Sequence, residues 1–186
     1  MRFKNTRVHH THIESPLGGI TLAATDLGLA GVWFDHQRHE PDMSGWHRYD
    51  AHPVLREAAV QLLDYFAGRR LHFDLPLDLG HGTAFQRSVW KALLAIPPGK
   101  TTSYGALGDE IGRPRAVRAV GAAVGRNPIS VVVPCHRVLG ADGGLTGYAG
   151  GLERKSTLLA LEGARPLPQK GAGAAIDVAR LEEATR

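Results

Sequence analysis

Alternating apolar and polar positions mark the beginning of the chain. The segments VHHTHIE, GITLAAT and GLAGVWF, between residues 8 and 34, are separated by glycine-containing turn sequences. This pattern predicts a three-stranded β-meander. Residues 35–53 are polar and rich in His, Pro and Gly, which predicts an exposed loop. Residues 71–77 are predicted to return to the sheet.

A helical period replaces the alternation at residue 54. Apolar side chains recur at helical spacing and predict a helix over residues 54–67, and its apolar positions are Leu55, Ala59, Leu62, Leu63 and Phe66. The following stretch DLGHG, residues 78–82, has the composition of a linker. We therefore expect an N-terminal α/β domain over residues 1–80.

Residues 81–163 are predicted to form a second, mostly helical domain. Thr83 and Gln86 can form a capping box at the start of its first helix. Thr102 or Ser103 can cap a second helix, and Pro114 stands where a third is predicted to begin. The second and third helices, joined by Gly-Arg-Pro, form a helix-turn-helix candidate, and LERKSTLLALEG predicts a last helix.

The order of elements predicts an α+β fold. Residues 164–186 begin Pro/Gly-rich and end in DVARLEEATR, which has the composition of a short helix. We expect them to form a mobile C-terminal tail. The chain contains 43% hydrophobic and 22% charged residues, as soluble globular proteins do, and lacks a long apolar run, so no membrane contact is expected.

One cysteine in 186 residues excludes an internal disulfide and predicts a reducing, cytoplasmic location. The net charge is +4, and the positive charge is concentrated. From residue 113 to 137 there is no acidic residue, but there are five arginines: Arg113, Arg115, Arg118, Arg126 and Arg137. Any one of them is explained by a solvated helix face, whereas the group favours an anionic partner such as nucleic acid.

The cysteine itself lies in the segment VVVPCHRV, residues 131–138. Three valines predict a short buried strand that ends at Pro134, and Cys135 and His136 follow. A lone cysteine is most often an inert buried side chain, and neighbours on a strand point to opposite faces. The spacing alone leaves packing and nucleophilic interpretations open.

Residues 83–163 resemble the O6-alkylguanine-DNA alkyltransferases. The resemblance is carried by FQRSVWKALLAIPPGKTTSY, IGRPRAVRAVGAAVGRNP, VVVPCHRV, GYAGG and KSTLLALEG, and more loosely by ESPLGGITLAATDLGLAGVWF near the N-terminus. It implies a ribonuclease H-like N-terminal domain, a winged helix-turn-helix-like C-terminal domain, and a nucleophilic cysteine.

The implied activity is direct-reversal DNA repair. A methyl or other alkyl group would move irreversibly from O6 of guanine in duplex DNA to Cys135, with O4-alkylthymine as a second candidate lesion. Such a methylated-DNA–protein-cysteine methyltransferase works once per molecule and needs no cofactor. By resemblance, His136 accepts the thiol proton through a bridging water, Glu162 orients His136, and Asn127 holds the loop.

The resemblance also implies a DNA interface and a base pocket. The second helix of the helix-turn-helix enters the minor groove without sequence preference, and Arg118 replaces the flipped base. Tyr104 crowds the 3′ phosphate and hydrogen-bonds the base. Further DNA contacts are expected at Arg113, Arg115, Gly105 and Ala141, and pocket contacts at Val138, Tyr148, Ala149 and Lys155. The Cys135 and Val138 carbonyls would accept hydrogen bonds from guanine, and the Ala149 N–H would reach O6.

This sequence departs from parts of the family pattern. Ala149 stands where some members carry a hydroxyl. Some members bind zinc through N-terminal cysteines, which are missing here, so His9, His10 and His12 are expected to be surface strand residues and no metal is expected. The protein is expected to be a monomer, and cooperative binding along DNA is left open.

Two other functions compete with this interpretation. A sequence-specific DNA-binding regulator would need side chains such as Asn or Gln for base edges, but the arginine-bearing helix offers Ala, Val, Gly and Arg. A thiol hydrolase would need a cleft for a small molecule or peptide, and no motif in the sequence indicates one.

Overall fold

A four-stranded sheet forms the first part of the computed structural model, which describes Phe3 and residues 6–164. The predicted meander is present as β1 (His9–Ile13), β2 (Ile20–Thr25) and β3 (Gly28–Phe34). The segment 35–53 is not entirely loop, because β4 (His47–Arg48) pairs in parallel with β1. Residues 71–77 supply a single bridge, from Leu77 to Leu29, instead of a strand.

All residues of β3 are buried because the free edge of this strand is covered twice. Pro76 and Asp78 exchange backbone hydrogen bonds with Leu29. Farther along the strand, Val32 exchanges hydrogen bonds with Pro128 and Ser130 of the second half. The chain segment leading to the cysteine is therefore attached to the sheet.

Helix α1 (Pro53–Phe66) lies on the sheet and buries Leu55, Leu62 and Tyr65 completely. The predicted helix is present, although Leu63, expected on its apolar face, is 42% exposed. The predicted helical period is correct, but the face of the helix that is buried is narrower than predicted. Tyr65, which was not among the predicted apolar positions, lies on that buried face. No helix among residues 6–164 is long and apolar enough to cross a membrane.

The second half contains the predicted helices. Helix α2 (Ala84–Leu94) begins with the Thr83–Gln86 capping box, and Ser103 caps α3 (Tyr104–Glu110). Helix α4 (Val117–Val124) begins later than Pro114 predicts, because residues 113–116 form a separate hydrogen-bonded turn. Short strands β5 (Thr102–Ser103) and β6 (Val138–Leu139) pair in parallel, and α5 (Leu152–Leu161) follows.

The strand predicted for Val131–Val133 is wrong. Val131 has a φ of 70°, and the amides of Val132 and Val133 bond back to Ser130 and Ile129 in a buried turn. A left-handed valine costs about 1–3 kcal/mol and persists only where the surrounding structure holds it. The turn leads into a 3₁₀ turn at Cys135–Arg137.

Ala164, where the predicted tail begins, is buried against Leu139 and Leu159. The remainder of the predicted mobile tail, with its short helix, lies outside the described residues.

Candidate active site

Cys135 lies at the start of the 3₁₀ turn and is only 4% exposed. The side-chain amide of Asn127 donates to its Sγ at 3.0 Å and to the carbonyl of Val133 at 2.7 Å. The Asn127 Oδ1 accepts from the N–H of Ile129, so this side chain fixes both the turn and the sulfur. Burial raises the pKa of Cys135, while the hydrogen bond from Asn127 and the charge of Lys155 oppose that increase.

His136 is completely buried and pairs with Glu162, with 3.0 Å between Nε2 and Oε1. Burial lowers the pKa of His136, and the hydrogen bond to Glu162 raises it. The other ring nitrogen, Nδ1, is buried and has no hydrogen-bond partner among the described residues. A buried polar atom without a partner is unfavourable, so this nitrogen suits a small polar molecule or a proton donor.

Arg137 and Tyr65 complete the surroundings of Glu162, and the sequence interpretation missed both roles. Arg137 donates to both carboxylate oxygens, at 2.8 and 2.7 Å, and also to the carbonyl of Ile96. The Tyr65 hydroxyl donates to Oε1 at 2.8 Å. Burial alone would raise the pKa of Glu162, but the hydrogen bonds from His136 and Arg137 outweigh it and lower the pKa to about 2.

This arrangement corrects the interpretation of the five arginines. Arg137 is buried and has its counter-charge inside the protein. In the sequence, the position of Arg137 within the PCHRV motif was the one indication that this residue belongs to the site. No local pattern indicated that Tyr65 does. The remaining four, Arg113, Arg115, Arg118 and Arg126, are exposed on and around α4.

A cavity of about 320 Å³ opens between α4 and the loop that carries Tyr148 and Ala149. Its wall on the α4 side is made of small residues, Gly121, Ala122 and Gly125. Tyr104, Tyr148 and Ala149 line the rest together with Arg38, His39, Arg126 and Gly147. Burial raises the pKa of both Tyr104 and Tyr148, and the charge that Cys135 carries as a thiolate raises the two pKa values further.

Lys155 holds the loop that carries Tyr148 and Ala149. Its buried ammonium donates to the carbonyls of Val138 at 2.5 Å, Thr146 at 2.6 Å and Gly147 at 3.3 Å. Burial lowers the pKa of Lys155 to about 8. The Val138 carbonyl, expected to face guanine, therefore already accepts one hydrogen bond.

The other carbonyls of this loop also accept hydrogen bonds, whereas the N–H of Ala149 is among the loop amides that make none to a described residue. The Tyr104 hydroxyl donates weakly to Thr146 and Gly147 at 3.3 Å, and the Ala149 carbonyl accepts from the N–H of Arg38 at 3.0 Å. The N–H of Ala149 makes no hydrogen bond to any described residue. The loop thus presents a backbone donor at the cavity wall.

The residues expected to contact DNA lie at the surface. Arg113, Arg115 and Arg118 are exposed, Gly105 is half-buried, and Ala141 is exposed in the turn after β6. The structure brings Cys135, Asn127, His136 and Glu162 together beneath this surface. Helix α4 joins the exposed surface to the cavity, because it carries Arg118 and also supplies Gly121 and Ala122 to the cavity wall.

The described residues contain no group of three metal-binding side chains close enough to hold a metal ion. Of the three N-terminal histidines, His12 pairs with Asp35 at 3.2 Å, and His9 packs against the rings of His47 and His52.

Comparison with known proteins gives a family match for each half of the chain. A family model described as "6-O-methylguanine DNA methyltransferase, ribonuclease-like domain" matches residues 8–79. A second, described as the DNA binding domain of the same protein, matches residues 84–164.

Individual relatives agree with these matches. A methylated-DNA–protein-cysteine methyltransferase of Mycolicibacterium paratuberculosis is 51% identical over 156 residues, which is 83% of this chain and 92% of the relative. One from Methanosarcina barkeri is 47% identical, covering 83% and 97%. The crystal structure of Mycobacterium tuberculosis OGT in complex with DNA has a TM-score of 0.77 at 49% identity, covering 83% and 92%. The chain belongs to the 6-O-methylguanine DNA methyltransferase family.

Proposed function

We propose that this protein repairs alkylated DNA by moving the alkyl group from O6 of guanine to the Sγ of Cys135. One observation carries this assignment: a buried thiol held by Asn127 stands beside the His136–Glu162 pair, in a domain whose arginine-bearing helix lines a cavity. The relatives are methylated-DNA–protein-cysteine methyltransferases, and a similar structure contains DNA. This chain has one cysteine, so it has one acceptor.

The reaction requires a thiolate, because a neutral thiol is a weak nucleophile. Loss of the Cys135 proton is followed by formation of a C–S bond, while the bond between the alkyl carbon and O6 breaks and leaves its electron pair on guanine. The free Nδ1 of His136 is the acceptor for the thiol proton, through a bridging water. The ionised Glu162 favours the resulting imidazolium.

The cavity wall can stabilise the leaving group, which is the guanine base. The free N–H of Ala149 can donate to O6, and the Tyr104 hydroxyl can donate to the base as negative charge develops on it. The positive charge of Lys155 favours the thiolate before the attack. The Asn127 hydrogen bond and the Lys155 charge thus reduce the effect of burial on the pKa of Cys135 without outweighing it, so removal of the proton depends on a base.

DNA binding follows from the exposed surface of α4. Arg113 and Arg115 precede the helix and are suited to phosphates, while Ala119 and Ala122 leave a smooth helix surface that can enter the minor groove. The reactive base must leave the duplex to reach the cavity, and Arg118 takes its place in the stack. The proposal includes a monomeric protein acting in the cytoplasm on duplex DNA irrespective of sequence.

Intact-protein mass measurement tests the proposal. After incubation with a duplex containing O6-methylguanine, the protein should gain the mass of one methylene unit, located on Cys135. Cys135→Ser should gain nothing and should still bind DNA, because phosphate contacts supply most of the affinity. DNA binding without mass gain by the wild type would favour a regulator, and repeated turnover of a thioester would favour a hydrolase.

A further inference from the structure

We infer that Arg154 is a positioning residue. Through it, the sheet domain (residues 8–79) fixes the position of the loop that carries Tyr148 and Ala149, which forms one wall of the cavity and is called the pocket loop below. The inference rests on the proposed function. Arg154 lies in the first turn of α5 and is half-buried. The sequence pattern gave it no role, because it stands beside Lys155 in an ordinary charged helix turn.

The guanidinium of Arg154 joins three separate segments of the chain. Its Nε donates to the carbonyl of Leu17 at 2.9 Å, and its Nη1 donates to the carbonyls of Asp35 at 3.3 Å and Gly150 at 3.2 Å. The guanidinium carbon also lies 4.8 Å from the ring centre of Phe34. Leu17, Phe34 and Asp35 belong to the sheet domain, and Gly150 belongs to the pocket loop.

Gly150 directly follows Ala149, a residue that lines the cavity and whose N–H makes no hydrogen bond to a described residue. The same short stretch is held a second time, because the Arg38 N–H donates to the Ala149 carbonyl. Packing leaves little freedom there: a Cβ at Gly150 would lie 2.7 Å from the Tyr148 ring and 3.3 Å from the Phe34 ring. The position of the pocket wall is therefore set by the sheet domain as well as by Lys155.

Arginine is suited to this place because its planar fork can serve several carbonyls at once while its face rests on an aromatic ring. Lysine has the same charge, but its donors all lie on one compact nitrogen without a planar face for the ring, and methionine keeps most of the stem without charge. The series Arg154→Lys, Arg154→Met and Arg154→Ala therefore removes the fork, the charge and the stem in turn.

Single-turnover kinetics provide the test. Arg154→Met and Arg154→Ala should lower the maximal transfer rate at saturating O6-methylguanine duplex by roughly ten- to a hundredfold, because small misplacements of a reacting group have effects of this size. Arg154→Lys should retain an intermediate rate. The DNA concentration giving half-maximal rate should stay at the wild-type value, because the hydrogen bonds of Arg154 go to Leu17, Asp35 and Gly150 and not to α4 or its exposed arginines.

Two further measurements separate positioning from other effects. Reaction with the free base O6-benzylguanine should slow as much as reaction with duplex, since the pocket rather than DNA binding is changed. Arg69→Ala, which removes an exposed arginine paired with Asp64, should react like wild type. All rates are measured well below each variant's melting temperature and normalised to the titratable thiol.

Wild-type maximal rates in Arg154→Met and Arg154→Ala would overturn the inference. A decrease in transfer rate that disappears after normalisation to the titratable thiol would also overturn it, because Arg154 would then contribute to stability only. Absence of any alkyl gain by wild-type protein would instead overturn the proposed function.

Discussion

The hydroxyl of Tyr65 donates a 2.8 Å hydrogen bond to Oε1 of Glu162, a residue 97 positions later in the chain. Tyr65 belongs to α1 of the sheet domain, and Glu162 ends α5 of the helical domain. The carboxylate that pairs with His136 is therefore held from both halves. Its two oxygens receive hydrogen bonds from His136, Arg137 and Tyr65, which is a full set of partners for a buried carboxylate.

Tyr65→Phe should lower the free energy of unfolding by about 1.5–3 kcal/mol, the usual contribution of a hydrogen bond to a charged group. The ring stays in the core, so the change isolates the hydroxyl. Urea denaturation measures the effect. Tyr49→Phe is the control, because Tyr49 is 46% exposed, and it should be close to neutral. Equal stability of Tyr65→Phe and wild type would contradict the expectation.

Glu162 should make the folded state sensitive to acid. Its pKa is about 2 in the folded protein and 4.5 in an unconstrained chain. The stabilisation is therefore fully present above about pH 4.5 and is lost as the pH falls toward 2, with a total on the order of 3 kcal/mol. Denaturation between pH 2 and 7 should show this decline.

Two glutamine variants test whether Glu162 causes the predicted loss of stability at low pH. Glu162→Gln should be less stable than wild type at pH 7, because Arg137 stays buried without its counter-charge, and it should lose less stability on acidification. Glu110→Gln, at an exposed position, should follow the wild-type curve. A Glu162→Gln curve parallel to wild type would show that other groups govern the acid sensitivity.

Arg118→Ala should slow transfer from duplex DNA far more than transfer from the free base O6-benzylguanine. The missing side chain leaves a gap in the base stack, with a cost on the order of a few kcal/mol. Arg118→Lys keeps the charge without the planar group and should recover only part of the duplex rate. Single-turnover rates on both substrates give the comparison, and equal slowing on both would place Arg118 in the chemistry or the fold.

Transfer should stop at one alkyl group per protein, because a thioether has no facile leaving group. The alkylated protein should also melt at a lower temperature. Cys135 is 4% exposed and its sulfur lies 3.0 Å from the Asn127 amide, so added volume there costs about 1–3 kcal/mol. Mass and melting measurements on the same samples test both points, with undamaged DNA as control. A steady multi-turnover rate would contradict the first, and an unchanged melting temperature the second.

The sequence was most informative where local rules decide the structure. The meander and the Thr83–Gln86 capping box depend on neighbouring residues, and both are present. The valines at 131–133 depart from their local preference because Asn127 and the covered edge of β3 hold the chain in a turn there.

The candidate site was predictable only in part, for a related reason. The Cys135, His136 and Glu162 roles came from the family resemblance, since spacing alone left the cysteine undecided. Tyr65 and Arg154 act on partners far away in the sequence, so no periodicity or motif could indicate them. Arg137 was read as part of a basic surface because its partner is 25 positions later.

The contacts of Tyr65 and Arg154 limit how chains of this kind can be recombined. A chimera that joined the helical half to another sheet domain would keep every arginine on α4 and the whole PCHRV segment. It would nevertheless lose two sets of contacts unless the incoming domain supplied equivalents. One is the hydrogen bond from Tyr65 to Glu162, and the other is the group of carbonyls and the ring that contact Arg154. A working chimera would therefore have to be designed with the residues on the two sides of this junction exchanged together.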